Sequence, residues 1–235
     1  MTRLMLAVAG LLAAAAIPAL PAPAETPVAA PADGDWSSVV RLQPDGVYVV
    51  GNPAAPVKLA EHLSYTCPHC AAFSIDSSSA LIDEMVKSGS VMIEYHPVAR
   101  DDADVAATML LQCAGPTHFV AMNELIFIAQ PRWIDRAIAF QSSAEAANAA
   151  MPSLQKLRIL AERTGLADLA RVEGLTTEQI DACLADKPLM DRVVALGAKS
   201  RQSIRGTPSF FLNGTAVPAA DWATLEPVLR ARGAK

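Results

Sequence analysis

Four residues carry the plainest chemistry in this chain: Cys67-Pro68-His69-Cys70. Two thiols separated by two residues can close a small disulfide ring and reopen it, so the spacing points to redox exchange. The run before them, Val57 to Leu63, reads as a short strand. The run after them reads as a helix, with Ala71, Phe73, Ile75, Leu81, Met85 and Val86 at roughly helical spacing and Gly89 at its C-terminal cap. Pro68 fits the first helical position, where its missing N–H costs nothing, and this places Cys67 at the N-cap. There the sulfur faces the free amides of His69 and Cys70 and the positive end of the helix dipole. Both favour the thiolate, and a protonated His69 adds to them. A thiolate stabilised in this way is the reactive form of cysteine. Cys70, one turn on, is expected to be covered and to resolve mixed disulfides.

The competing chemistry for such a pair is half of a zinc site. Structural zinc needs four ligands, usually with a second close pair of Cys or His. Cys113 and Cys183 stand alone and far apart, and His62, His96 and His118 offer no paired spacing. No metal and no cofactor are therefore expected. The sequence has no phosphate loop, no G-x-S-x-G and no H-E-x-x-H, so hydrolase and nucleotide readings have no support.

Cys67-Pro68-His69-Cys70 behind a strand, together with Gly206-Thr207-Pro208-Ser209-Phe210-Phe211-Leu212-Asn213-Gly214, resembles the DsbA family of exported bacterial thiol:disulfide oxidoreductases. The resemblance runs from about Val47 to the end, and the Pro-His pair is similar to that of the oxidising members. It implies an α/β chain with a thioredoxin-like fold and an inserted all-helical subdomain. It also implies a cis Thr207–Pro208 bond facing the cysteines, with the Thr207 backbone free to pair with an extended substrate peptide. A proline that merely opens a strand is the plainer alternative. Glu61 alternates with Leu59 and Leu63 on one strand face. The family places a buried acid there as a proton handler for the second cysteine, whereas an acid exposed at a sheet edge is the other reading. A second acid that some members carry early in the redox helix is absent, and Ser74 stands there.

Taken in order, Met1 to Ala24 reads as a signal peptide. It has Arg3, an apolar run from Leu4 to Ile17 and an Ala22-Pro23-Ala24 cleavage site. Residues 25–38, rich in Ala and Pro, read as a flexible tether. Residues 39–100 and 188–235 are assigned to the thioredoxin-like domain and 101–187 to the helical insertion. Val39–Leu42 and Val47–Val50 read as a hairpin. Ser90–Val98 is a strand parallel to Val57–Leu63, because a helix joins them. In the insertion, Asp101 or Asp102 caps a helix closed by Gly115. A second helix starts near Thr117 and is expected to end at Pro131. Residues 143–164 are expected to be helical with a break near Pro152. Thr176 and Gln179 form a capping box, and Pro188 opens a longer helix. Asn213-Gly214 turns a last hairpin, and Asp221 caps the final helix. Cys113 and Cys183 both fall in the insertion. The even cysteine count of an exported protein favours a disulfide between them, and some members of the family carry an extra bridge; two buried thiols remain the alternative.

The net charge is −5 over 235 residues, and removing the leader with its single Arg leaves −6 over 211. An acidic chain without basic clusters argues against nucleic acid and against anionic membrane surfaces. The expectation is a periplasmic, monomeric protein-disulfide oxidoreductase. It would act on unfolded or reduced exported polypeptides and, as the family implies, be reoxidised by a membrane quinone-linked partner of DsbB type. Two alternatives stay open. One is an isomerase or reductase of the same fold, to which Thr207 is equally suited. The other is a non-catalytic peptide-binding chaperone or a metal-binding module.

Overall fold

A computed structural model describes residues 28–148 and 150–235. The expected signal peptide and residues 25–27 of the expected tether lie outside the described residues. A six-stranded sheet runs in the order β1-β2-β4-β3-β5-β6, with β1 at Val40–Leu42, β2 at Tyr48–Gly51, β3 at Val57–Leu63, β4 at Val91–Pro97, β5 at Ser209–Leu212 and β6 at Thr215–Val217. β3 and β4 are parallel and in register from Val57↔Val91 to Leu63↔Pro97. The other pairings are antiparallel. β3 buries Val57, Leu59, Glu61 and Leu63 on one face, while on the other Lys58 is exposed, Ala60 half-buried and His62 buried.

The crossover between β3 and β4 is α1 (Pro68–Ser77), continued by a π-helical stretch over Ser78–Val86 that closes before Gly89. Gly89 has φ +76, and a Cβ there would strike the Trp36 ring. The same contact corrects the expected tether. The chain is docked from Asp35 onward, because Asp35 caps a 3-10 turn at Trp36–Ser38 and the Trp36 N–H donates to the Lys87 carbonyl at 3.1 Å.

Between β4 and β5 the regular elements among the described residues are all helices. The elements are α2 (Asp102–Ala114), α3 (Pro116–Gln141), α4 (Ser153–Thr164), α5 (Leu166–Val172), α6 (Thr177–Leu184) and α7 (Lys187–Gln202), with α8 (Trp222–Ala231) after β6. The caps at Asp101, Thr176 and Asp221 hold the first-turn amides as their sequence pattern requires.

Two expectations in the insertion fail. Pro131 does not end a helix, since α3 continues through it to Gln141. Burial of Phe127, Trp133, Ala137 and Phe140 along one face holds the helix together across the proline. The Trp133 indole also donates to the Ile126 carbonyl at 2.9 Å, within the turn that the ring disturbs. Residues 143–147 form a bend and turns rather than helix: the Ala147 N–H reaches the Ser143 carbonyl at 3.1 Å, but the next bond, from the Asn148 N–H, reaches back only to the Glu145 carbonyl at 3.3 Å, so the helical ladder is not continued. The short α5, packed through Leu166, Ala167 and Ala170, was not expected at all.

The insertion shares one core with the sheet. Tyr48 of β2 stacks on Phe119 of α3 with ring centres 3.8 Å apart, and its hydroxyl donates to the Leu111 carbonyl at 3.0 Å. Phe73 of α1 lies 4.5 Å from Phe210 of β5. α7 returns the chain across the end of β4 so closely that a Cβ at Gly197 would collide with the Val98 carbonyl.

Cys113 at the end of α2 and Cys183 in α6 are joined by a disulfide spanning 70 residues. A loop of that length carries a large closure entropy in the unfolded chain. Cys113→Ala with Cys183→Ala should therefore lower the free energy of unfolding by roughly 4 kcal/mol, read by denaturant titration. The iodoacetamide reactivity of Cys67 should stay unchanged, because the bridge lies outside the redox loop.

Candidate functional site

The redox pair sits where β3 gives way to α1. Cys67 has extended backbone (φ −93, ψ 119) and is the N-cap of α1, and Pro68 is its first residue. Both cysteines are free thiols and both are buried, whereas Pro68 and His69 are exposed. The pair therefore lies at the surface beneath a rim formed by its own intervening residues.

The two sulfurs meet opposite environments. The Cys67 thiol is lowered to about 5, first by a hydrogen bond from the Cys70 thiol, then by the Thr207 side chain and by the amides of Cys70 and His69. Burial works against these and is outweighed. No full capping hydrogen bond closes from the Cys67 sulfur, so the amides act through their direction and the helix dipole. Cys70 is pushed far up by burial, then by the hydrogen bond and charge of Cys67 and by the charge of Glu61. Its sulfur accepts from the Ser64 N–H at 3.5 Å.

The loop before β5 closes over the pair. The Thr207–Pro208 bond is cis, both residues are half-buried, and the Cys67 thiol donates to the Thr207 carbonyl at 3.2 Å. That carbonyl holds the protonated sulfur. The Thr207 hydroxyl, by contrast, is a donor for the thiolate.

Glu61 lies on the β3 face with Leu59 and Leu63, 3% exposed, and burial lifts its carboxyl to about 8. Its Oε1 has no protein partner. It borders a cavity of about 240 Å³ whose polar wall includes Ser74, Ser77, Asn123 and Glu124. The structure therefore brings Cys67, Cys70, Thr207, Pro208 and Glu61 to one end of the sheet. Cys113 and Cys183 are elsewhere, inside the insertion.

Residues that sequence reasoning passed over surround the loop Ser64-Tyr65-Thr66. Asp104, fully buried in the first turn of α2, accepts from the Tyr65 N–H at 2.8 Å and from the Arg100 N–H at 3.0 Å. Burial lifts its carboxyl to about 6. The Thr66 hydroxyl donates to Asp101 at 2.7 Å and accepts from Arg100 Nε at 2.7 Å, while an Arg100 guanidinium N–H donates to the Thr66 carbonyl. Gln130 of α3 donates to the carbonyls of Tyr65 (2.8 Å) and Cys67 (2.9 Å), and the Tyr65 hydroxyl donates to Asn123 at 2.9 Å. The signal for Asp104 was a carboxylate in the first turn of an otherwise apolar helix, which capping alone also explains. Gln130 beside a proline gave none. Among the described residues, no group of three or more His, Cys, Asp or Glu is placed to hold a metal ion.

The thioredoxin family profile matches residues 44–231. The chain is 30% identical to a protein-disulfide isomerase of known structure from Novosphingobium aromaticivorans, covering 80% of this chain and 97% of that one with a TM-score of 0.71. It has the fold of Wolbachia pipientis alpha-DsbA1, at 20% identity, with 78% and 88% of the two chains covered and a TM-score of 0.57. A Rickettsia conorii protein, provisionally named a protein-disulfide oxidoreductase, is 28% identical over 174 residues, which cover 72% of this chain and 54% of that one. The chain spans about half the length of the curated relatives it matches. With the cysteine pair at the start of α1, the cis proline loop against it and helices inserted between β4 and β5, the chain belongs to the thioredoxin family and has the DsbA-like form of its fold.

Proposed function

We propose that this protein is a thiol:disulfide oxidoreductase that introduces disulfides into exported polypeptides. The observation that carries the reading is the opposed perturbation of two thiols one helical turn apart: Cys67 is driven toward the thiolate and Cys70 away from it. In the oxidised form, a substrate thiolate attacks the Cys67 sulfur. The Cys67–Cys70 bond breaks as a substrate–Cys67 disulfide forms, and Cys70 leaves as a thiolate. Cys70 holds an anion poorly, so it takes up a proton. Glu61, buried and protonated up to about pH 8, is the donor. A second substrate thiolate then attacks the substrate sulfur and releases Cys67 as its stabilised thiolate. The substrate has lost two electrons and the dithiol site has gained them. Low proton affinity at Cys67 favours the reduced site and so makes the disulfide oxidising.

Thr207 and Pro208 are the substrate-binding residues in this reading, holding an extended peptide as an added strand beside Cys67. The disulfide between Cys113 and Cys183 supports a compartment where such bonds persist, and with the expected leader it supports a periplasmic location. Family resemblance supports a quinone-linked DsbB-type partner as the oxidant that restores the Cys67–Cys70 bond, acting on a monomer. The isomerase reading draws on the name of the Novosphingobium neighbour and on Thr207. The two readings separate on substrate: an oxidase forms disulfides in a reduced polypeptide, whereas an isomerase rearranges a scrambled one faster than it oxidises.

Cys67→Ser should abolish oxidation of a dithiol peptide, and Cys70→Ser should accumulate mixed disulfides through Cys67. Faster iodoacetamide labelling of Cys70 than of Cys67 near pH 5 would sink the assignment.

Stability should follow pH in a way specific to the reduced protein. Cys67 titrates near 5 in the folded reduced form and near 9 when unfolded, and it does not titrate in the disulfide. Its contribution is absent below pH 5, grows as pH rises from 5 toward 9 and is complete above 9. Glu61 titrates in both redox forms, so it largely cancels in the comparison. Denaturant unfolding should show the reduced form gaining on the oxidised form across that window, and a gap independent of pH would refute the assignment. Thr207→Val removes the hydroxyl that donates to the thiolate. It should raise the Cys67 midpoint in an ultraviolet thiolate titration and weaken the protein as an oxidant against a glutathione buffer.

A further inference from the structure

The turn from β3 into α1 has a complete set of backbone hydrogen bonds, and the helical insertion, together with the β4–α2 connection that leads into it, supplies many of them. The Tyr65 N–H goes to Asp104 and the Tyr65 carbonyl to Gln130. The Thr66 N–H goes to Ser64 Oγ and the Thr66 carbonyl to Arg100. The Cys67 N–H goes to the Ser64 carbonyl, and the Cys67 carbonyl is shared between the Ala71 N–H and Gln130. Asp104 and Gln130 are both buried, at 0% and 3% exposure, so these bonds do not compete with bulk water and are costly to leave unmade. The two side chains reach the loop from different helices, α2 and α3. They grip the two polar groups of a single peptide residue and the carbonyl of the N-cap cysteine itself.

We propose that Asp104 and Gln130 are positioning residues of the redox centre, fixing the backbone of Tyr65 and Cys67 and thereby the direction in which the Cys67 sulfur meets the helix start and Thr207. The inference rests on the oxidoreductase reading for its importance, and its geometry stands apart from it. Neither residue touches the sulfur through its own polar atoms. Each acts through the main chain that sets the N-cap dihedrals of Cys67. Hydrogen bonds to a sulfur anion depend steeply on direction, so a small rotation at the N-cap weakens the thiolate by more than it weakens the fold. The insertion therefore supports the reactivity of a cysteine that belongs to the thioredoxin-like part of the chain.

Burial lifts the Asp104 carboxyl to about 6, above the Cys67 thiol at about 5, so Asp104 is mostly neutral where Cys67 titrates and its loss removes little charge there. What Asp104→Ala tests is the hold on the Tyr65 N–H and, through it, the Cys67 midpoint. Removing the hold on the Tyr65 N–H loosens the N-cap and raises it. Gln130→Met removes the two N–H donations at nearly constant volume and changes no charge. The experiment titrates the Cys67 thiolate by ultraviolet absorbance in reduced wild type, Asp104→Ala and Gln130→Met, with denaturant unfolding alongside. Both variants should move the midpoint upward by about one pH unit, a factor of about ten in proton affinity.

An unchanged or lowered midpoint in either folded variant overturns the proposal, even where stability falls, because loss of stability alone is what a merely structural residue shows. Should Asp104→Ala fail to fold, Gln130→Met decides the matter. Failure of the oxidoreductase reading itself looks different: wild type would then show a low Cys67 midpoint yet no oxidation of a dithiol peptide.

Discussion

The structure depends on a short turn. β3 ends at Leu63 and α1 begins at Pro68, so four residues must convert extended backbone into helix inside the protein. A central strand paired on both sides has no freedom to shift register, because a slip of one residue would send Leu59, Glu61 and Leu63 to the other face. The start of α1 is therefore fixed by the sheet, and the residue at its N-cap is fixed with it. A cysteine in that position gains the helix dipole without further machinery.

That constraint separates the two thiols. One helical turn carries the chain from the helix start, where partial positive charge collects, into the core beneath it. Cys67 sits at the first place and Cys70 at the second, so identical side chains acquire opposite preferences: Cys67 gains the Cys70 thiol, the Thr207 side chain and the helix amides, and Cys70 is buried. Glu61 adds to the contrast. It lies deep enough to be neutral near physiological pH, and its charge when formed raises Cys70 rather than Cys67. The site is thus asymmetric before any substrate arrives.

The inserted helices do more than enlarge the core. Tyr48 stacking on Phe119 ties them to the sheet, and the buried side chains of Asp104, Asn123 and Gln130 meet the turn before Cys67 from the other side. A loop in this position would otherwise present unpaired backbone groups to the interior, which is costly. The insertion satisfies those of Tyr65 and the carbonyl of Cys67.

Much of this was legible in the residues. The strand, the two cysteines, the proline at the first helical turn, the capping residues Asp101, Thr176 and Asp221 and the turn at Asn213-Gly214 are local signals, because each is read from neighbours a few positions away. The placement of Glu61 with two leucines followed from alternation along a strand. Other features depended on contacts between distant segments. α3 runs through Pro131 because the packing of Phe127, Trp133 and Phe140 outweighs a single lost hydrogen bond. Trp36 is docked because Gly89, more than fifty residues away in sequence, leaves room for its ring. The bond between Cys113 and Cys183 needed α2 and α6 to meet. Asp104 and Gln130 carry no local mark of their role, since each acts on a backbone group dozens of residues away. The sequence by itself determined which atoms could exchange electrons. Only the tertiary structure decided which side chains hold them in place, because those contacts come from packing between elements and leave no periodic trace in the chain.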